Sequence, residues 1–379
     1  MRAFFLGALG FAVSAGCSSG DPASEATART ASAIQGGTDD TTHDFAVGIE
    51  VNLGDGTGLV CSGALLAPNL VATARHCVQE LSSDTVVCGQ TTFGSTYATS
   101  QFLVTTSPVI ERGATLYTVG KIVVPTGSSE DYVCGNDIAL LILTQNTALP
   151  QYVEPVLSPP MTDHDVWATS ITAIGYGIDT PTDEAGVTAG TRRIKQDIPL
   201  ECIPDDPAFV DCYADSSKKA AIAGDEFWAG DGTCEGDSGT GSYDQTQFNA
   251  GNWESFGVLV RGGVSSDGQT CVGSIYTRFD AWSGLLVSAA TEASQRGGYA
   301  LPAWVANAAL DDAGFSDVDP AAGPNGGMDP PSTSTSGNGS KGGCAVSPRR
   351  GPTHPVPWRA LGVGVALVVA ASRRRRSRR

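Results

Sequence analysis

Positive charge is scarce in this chain of 379 residues: 23 Lys and Arg stand against 40 Asp and Glu, for a formal net charge of −17. Ten of the cations (Lys341, Arg349, Arg350, Arg359, Arg373 to Arg376, Arg378, Arg379) crowd into residues 341–379, which carry no acid. Residues 34–340 hold 11 basic and 38 acidic side chains. Such a body presents an acidic, well-solvated surface, which excludes nucleic acid as its partner. No Cys-x-x-Cys pair occurs, so zinc-ribbon and thioredoxin-type chemistry have no support. The acids form no loop with recognisable oxygen-ligand spacing, so neither calcium nor any other cofactor is implied. Histidine is also rare: of His43, His76, His164 and His354, only His76 sits in a distinctive local sequence.

Glycine (47) and proline (21) are plentiful beside 41% hydrophobic residues, a composition that suits a turn-rich β protein with an ample core. Short runs of period-2 or continuous apolar character fall at Phe45–Val51, Leu59–Leu66, Leu70–Thr73, Thr85–Cys88, Phe102–Thr105, Leu116–Val124 and Ile138–Leu143. A second series follows at Val166–Ile174, Arg192–Pro199, Phe256–Val260 and Val272–Arg278. These read as strands of antiparallel barrels or sandwiches, and the stretch Pro150–Pro160 reads as a junction between two of them. Helical periodicity is confined to Phe279–Ala293.

The two ends differ from the body. Residues 1–16 combine Arg2, the apolar stretch Ala3–Val13 and small residues before Cys17, the pattern of an export signal. The cysteine followed by Ser18, Ser19 and Gly20 resembles a bacterial lipoprotein signal, with residues 17–33 as a propeptide. Because Ser14 stands where that signal usually has a branched apolar residue, ordinary cleavage near Ala15 is the alternative. At the other end, residues 296–343 read as a linker and Gly/Ser/Pro-rich stalk. Cys344, the apolar segment Ala360–Ala371 and the arginine cluster resemble a Myxo-CTERM sorting tail. The apolar segment is shorter than the ~20 residues of an ordinary span. A plain C-terminal anchor with a basic stop signal is the competing reading. Both ends imply a bacterial chain exported to the cell surface or the medium, with sorting machinery as a partner.

Setting Cys17 and Cys344 aside leaves eight cysteines, an even number suited to disulfides in an exported domain. Spacing alone makes Cys61 with Cys77, and Cys202 with Cys212, easy closures.

Three local sequences carry the chemistry: Thr73-Ala74-Arg75-His76-Cys77, Gly135-Asn136-Asp137-Ile138-Ala139-Leu140-Leu141 and Cys234-Glu235-Gly236-Asp237-Ser238-Gly239. In this order they resemble the His, Asp and Ser motifs of trypsin-like serine peptidases of the chymotrypsin fold, and Ile34-Gln35-Gly36-Gly37 resembles that family's activated N-terminus. The resemblance implies an all-β domain over residues 34–295, with two antiparallel six-stranded barrels (about 34–150 and 151–295) and a C-terminal helix. It implies a serine endopeptidase acting on protein or peptide substrates. His76 would be the base, Asp137 its orienting acid and Ser238 the nucleophile, with the Gly236 and Ser238 N–H groups as the oxyanion hole. The rival is a surface-tethered binding module on the same fold.

The resemblance also implies activation by a cut after Ala33, made by another protease, with Ile34 pairing with Asp237. It implies bridges Cys61–Cys77, Cys234–Cys271 and a shortened Cys202–Cys212, leaving Cys88 with Cys134. The specificity pocket falls on Gly232, Thr233, Val260, Arg261, Gly262 and Ser274, with an uncharged floor at Gly232 unless Asp231 slips into its place. Val260 stands where the family usually has a serine bonded to the catalytic acid. Arg261 stands in place of a tryptophan, either favouring acidic substrate residues or facing solvent.

Overall fold

Strands form where apolar side chains can be buried against a second layer. Gly58–Ala67 is almost wholly enclosed, whereas Ala46–Asn52 turns only Glu50 and Asn52 outward. The computed structural model describes residues 34–54, 57–127, 131–212 and 221–311. The export signal, Cys17, the propeptide, the stalk beyond Asp311 and the Cys344 tail lie outside the described residues. Among the described residues no helix is long and apolar enough to cross a membrane.

The first barrel comprises β1 (Ala46–Asn52), β2 (Gly58–Ala67), β3 (Leu70–Thr73), β4 (Phe102–Thr105), β5 (Leu116–Val123) and β6 (Ala139–Leu143), closed in the order β1-β2-β3-β6-β5-β4. Leu65, Leu70, Val71, Leu140 and Leu141 are fully enclosed within it. Each such side chain contributes ~1.5–3 kcal/mol through burial. The second barrel comprises β7 (Ser170–Gly175), β8 (Arg193–Cys202), β9 (Glu226–Ala229), β10 (Gly241–Asp244), β11 (Glu254–Val264) and β12 (Cys271–Arg278). Its order is β8-β7-β10-β11-β12-β9, and pairing of β9 back onto β8 closes it. The two-barrel expectation therefore holds, as do all four disulfides, Cys61–Cys77, Cys88–Cys134, Cys202–Cys212 and Cys234–Cys271.

Three expectations need correction. Thr85–Cys88 is not a strand: Cys88 is tied to Cys134, and Val87 is exposed. The helix placed at Phe279–Ala293 is α1 (Ser283–Gly297), preceded by a 3₁₀ turn at Asp280–Trp282. It stops at Gly298, whose φ of 68° provides a left-handed cap. Leu286, Ala289, Ala290 and Ala293 form its buried stripe, and Asn69 Nδ2 donates to the Ala293 carbonyl at 3.1 Å. The linker does not begin at residue 296, because α2 (Ala303–Asp311) buries Trp304 and Val305 in the same core.

Candidate active site

Register brings the first two motifs together. β3 and β6 run antiparallel with Thr73 opposite Ala139, so the chain leaving β3 and the chain entering β6 meet at one end of the barrel. His76 lies in the 3₁₀ turn Arg75–Cys77 just after β3, and Asp137 lies just before β6. The two are bonded twice. Asp137 Oδ1 accepts the His76 backbone N–H at 2.9 Å, and Oδ2 lies 2.7 Å from His76 Nδ1. A carboxylate can only accept, so the ring proton sits on Nδ1 and the Nε2 lone pair is left available as a base. Asp137 is 1% exposed, and the His76 side chain 8%.

The third motif, Cys234–Gly239, is a turn ahead of β10, pressed against the first barrel. The Ser238 carbonyl accepts the Ser62 N–H at 2.7 Å and lies 3.7 Å from Sγ of Cys77, the residue after His76. The Ser62 hydroxyl donates to the Gly236 carbonyl at 3.0 Å and accepts the Tyr176 N–H at 2.9 Å. Ser62 is thus a structural member of the site that sequence motifs gave no sign of. Gly239, at φ 90°, is obligatory: a Cβ there would meet the Ser62 oxygen at 2.1 Å and Thr73 Oγ1 at 2.2 Å. Among the described residues, neither the Gly236 nor the Ser238 N–H has a hydrogen-bond partner, so both remain available as donors.

Asp237 is fully buried and accepts the N–H groups of Cys234 (2.9 Å) and Gly177 (2.8 Å). Burial pushes its carboxyl up to about 7, opposed by those two amides, by the charge of Arg193 and by the Ile34 N–H. Ile34 is itself fully buried and held at φ 48°, in the left-handed region. Both residues of the expected activation pair are thus buried, and the Ile34 N–H favours the Asp237 carboxylate. Glu235 is also pushed up to about 7, by burial and then by the charge of Asp183.

The expected pocket residues separate into two groups. Thr233 and Ser274 bring their hydroxyls to 2.7 Å of each other, and Ser274 Oγ also donates to the Gly230 carbonyl. Gly232 has no side chain, and a Cβ there would meet Lys195 Nζ at 2.5 Å. Lys195, which sequence reasoning missed, donates to the carbonyls of Asp231 (2.8 Å) and Gln35 (3.3 Å), and burial lowers its pKa. Asp231 keeps its own place, its carboxylate accepting the Gly273 N–H at 2.8 Å. Gly262 is half-buried beside this wall, and Val260 is fully buried with no hydroxyl to offer. Arg261 corrects both readings made of it. Its side chain is buried and ion-paired with Glu226, facing neither solvent nor substrate.

Cys61, His76 and Cys77 gather as three potential ligand groups, but both sulfurs are joined in a disulfide and cannot serve as thiolates. His43 and His164, neither of which has a motif, pair with Asp40 and Asp206 away from His76.

The trypsin family model matches residues 34–283. Chymotrypsin-like elastase family member 1 of Rattus norvegicus is 34% identical over 100 residues, 26% of this chain and 32% of that protein. The chain thus spans about a third of the elastase relatives' length. Brachyurin of Leptuca pugilator is 28% identical over 180 residues, covering 47% of this chain and 68% of the relative. Among solved structures, scabies mite inactivated protease paralogue S-D1 aligns with a TM-score of 0.45 at 18% identity, covering 67% of this chain and 95% of that one. The family match covers both barrels and every motif residue from Ile34 to Ser274, and on that ground the chain belongs to the trypsin-like serine peptidase family.

Proposed function

We propose that this protein is a serine endopeptidase, working through an acyl-enzyme. The observation that carries the reading is the doubly bonded His76–Asp137 pair set beside the turn that presents Ser238. His76 removes the Ser238 proton as the hydroxyl attacks the scissile carbonyl, then returns it to the leaving amine. Asp137 fixes the tautomer and stabilises the imidazolium. The unpartnered Gly236 and Ser238 amides face the developing oxyanion, a contribution of ~3 kcal/mol per donor. A pocket lined by Thr233 and Ser274 and floored by Gly232, with Lys195 against that floor, suits small or apolar side chains and repels cations. Cleavage after Ala33 by a separate protease exposes the Ile34 ammonium to Asp237. The exported, surface-sorted address read from the two ends completes the proposal.

The test is labelling by a fluorophosphonate after cleavage at Ala33. The wild type is expected to label within minutes, and Ser238→Ala at least ~10³-fold more slowly. Equal, weak labelling of both, with retained binding of a protein partner, would favour the binding-module reading. A peptide library treated with the labelling-competent enzyme is expected to be cut poorly after Lys or Arg, and strong cutting there would refute the pocket assignment.

A further inference from the structure

The catalytic acid lacks its usual support: Val260 has no hydroxyl, and among the described residues both donors to the Asp137 carboxylate belong to His76. What holds the acid's turn is its backbone. The Gly135 N–H donates to Glu226 Oε1 at 2.8 Å, and the Gly135 carbonyl accepts Trp282 Nε1–H at 2.9 Å. Glu226 begins β9 and Trp282 precedes α1, so both faces of this peptide are fastened to chain that follows the first barrel. The turn between Gly135 and Asp137 is stiff. Asn136 N–H donates to the Val133 carbonyl at 3.1 Å, Asn136 Nδ2 donates to Tyr132, and Cys134 is locked to Cys88. A shift at Gly135 therefore passes to Asp137.

Glu226 is fully saturated. Oε1 also takes Arg261 Nη1–H at 2.6 Å, while Oε2 takes the Ala223 N–H at 2.8 Å and Arg261 Nη2–H. Arg261 Nη2 donates further to the Ala221 carbonyl at 2.7 Å. Both side chains are wholly buried. An enclosed ion pair of this kind contributes little net stability over apolar residues of the same volume, but it fixes geometry. We infer that Glu226, with Arg261 as its counter-charge, is a positioning residue that registers the Asp137–His76 pair of the first barrel onto the second barrel, which carries Ser238.

This rests on the peptidase reading, and the test separates the two. In the full chain cleaved at Ala33, the paired change Glu226→Met with Arg261→Met removes both charges and leaves the Gly135 N–H unpaired. It is expected to fold with an unchanged or higher Tm, to lose at least tenfold in kcat and to leave KM within twofold. Glu226→Gln with Arg261→Met restores a carbonyl acceptor for Gly135 and is expected to recover kcat to within threefold of wild type. The downfield NMR resonance of the His76 Nδ1 proton reads the same geometry without turnover, and is expected to weaken in the first variant and return in the second. An unchanged kcat and resonance in the Met pair would overturn the inference. Should the wild type neither cut nor label, the peptidase reading falls, and the resonance still decides whether Glu226 places the Asp137–His76 pair.

Discussion

Under the proposed activation, Asp237 is the residue whose surroundings change when the chain is cut after Ala33. In the uncut chain its buried carboxyl is pushed up to about 7, with only amides and the more distant Arg193 charge to favour ionisation. The native state then binds a proton that the unfolded chain has released above its ordinary value of 3.8, so stability falls as pH rises from about 4 to about 7. Cleavage replaces the Ile34 amide with an ammonium, which favours the carboxylate and removes that loss. Glu235, raised in the same window, is common to both forms and cancels in the difference. Thermal unfolding of the cut and uncut chains at pH 5 and pH 8 is expected to show the cut form's advantage widening by on the order of 5 °C at the higher pH. Parallel curves would mean that Ile34 and Asp237 do not pair on activation.

At the scale of elements, helix α2 is the least foreseen feature of the core. Trp304 is 6% exposed and directs its indole N–H to the Leu66 carbonyl, closing the outer face of β2. Trp304→Ala is expected to lower unfolding stability by ~3 kcal/mol in urea titration, and a change below ~0.5 kcal/mol would show the helix to be peripheral. Its sequence was hidden by the Gly/Ser/Pro-rich composition that follows it. Most barrel strands were legible because their apolar residues alternate or run together, as in Leu70–Thr73 and Val272–Arg278. Gly241–Asp244 was not, because all four of its residues are buried while Ser242 and Asp244 are polar, satisfied by the Gly257 carbonyl and by the amides of Ala168 and Gln247. Glu226–Ala229 was missed for the same reason: it opens on a charge that is buried only because Arg261 meets it. In the site, the three motifs were readable as local peptides. Ser62, Lys195 and Glu226 were not, since each acts through a partner at least 35 residues away in sequence.

Across the whole molecule, one hydroxyl and one imidazole are contributed by different barrels, and each inter-barrel contact described here bears on their register. Ser62, from the first barrel, fastens both the turn that carries Ser238 and the Tyr176 backbone of the second barrel. Glu226 and Trp282 fasten the acid's turn in the opposite direction. Buried Arg192 ties both halves further, donating to the Ala46 and Thr106 carbonyls and pairing with Asp44. Arg192 and Glu226 thus place buried charge where the two barrels meet. The most direct test is to mix the chain cut at Ala33 with an activated ester, quench it in acid and map the acyl group by mass spectrometry. The account predicts one acyl group on Ser238 in the wild type and none above background in His76→Ala. An acyl group formed equally well without the imidazole, or none at all in the correctly cut chain, would contradict it.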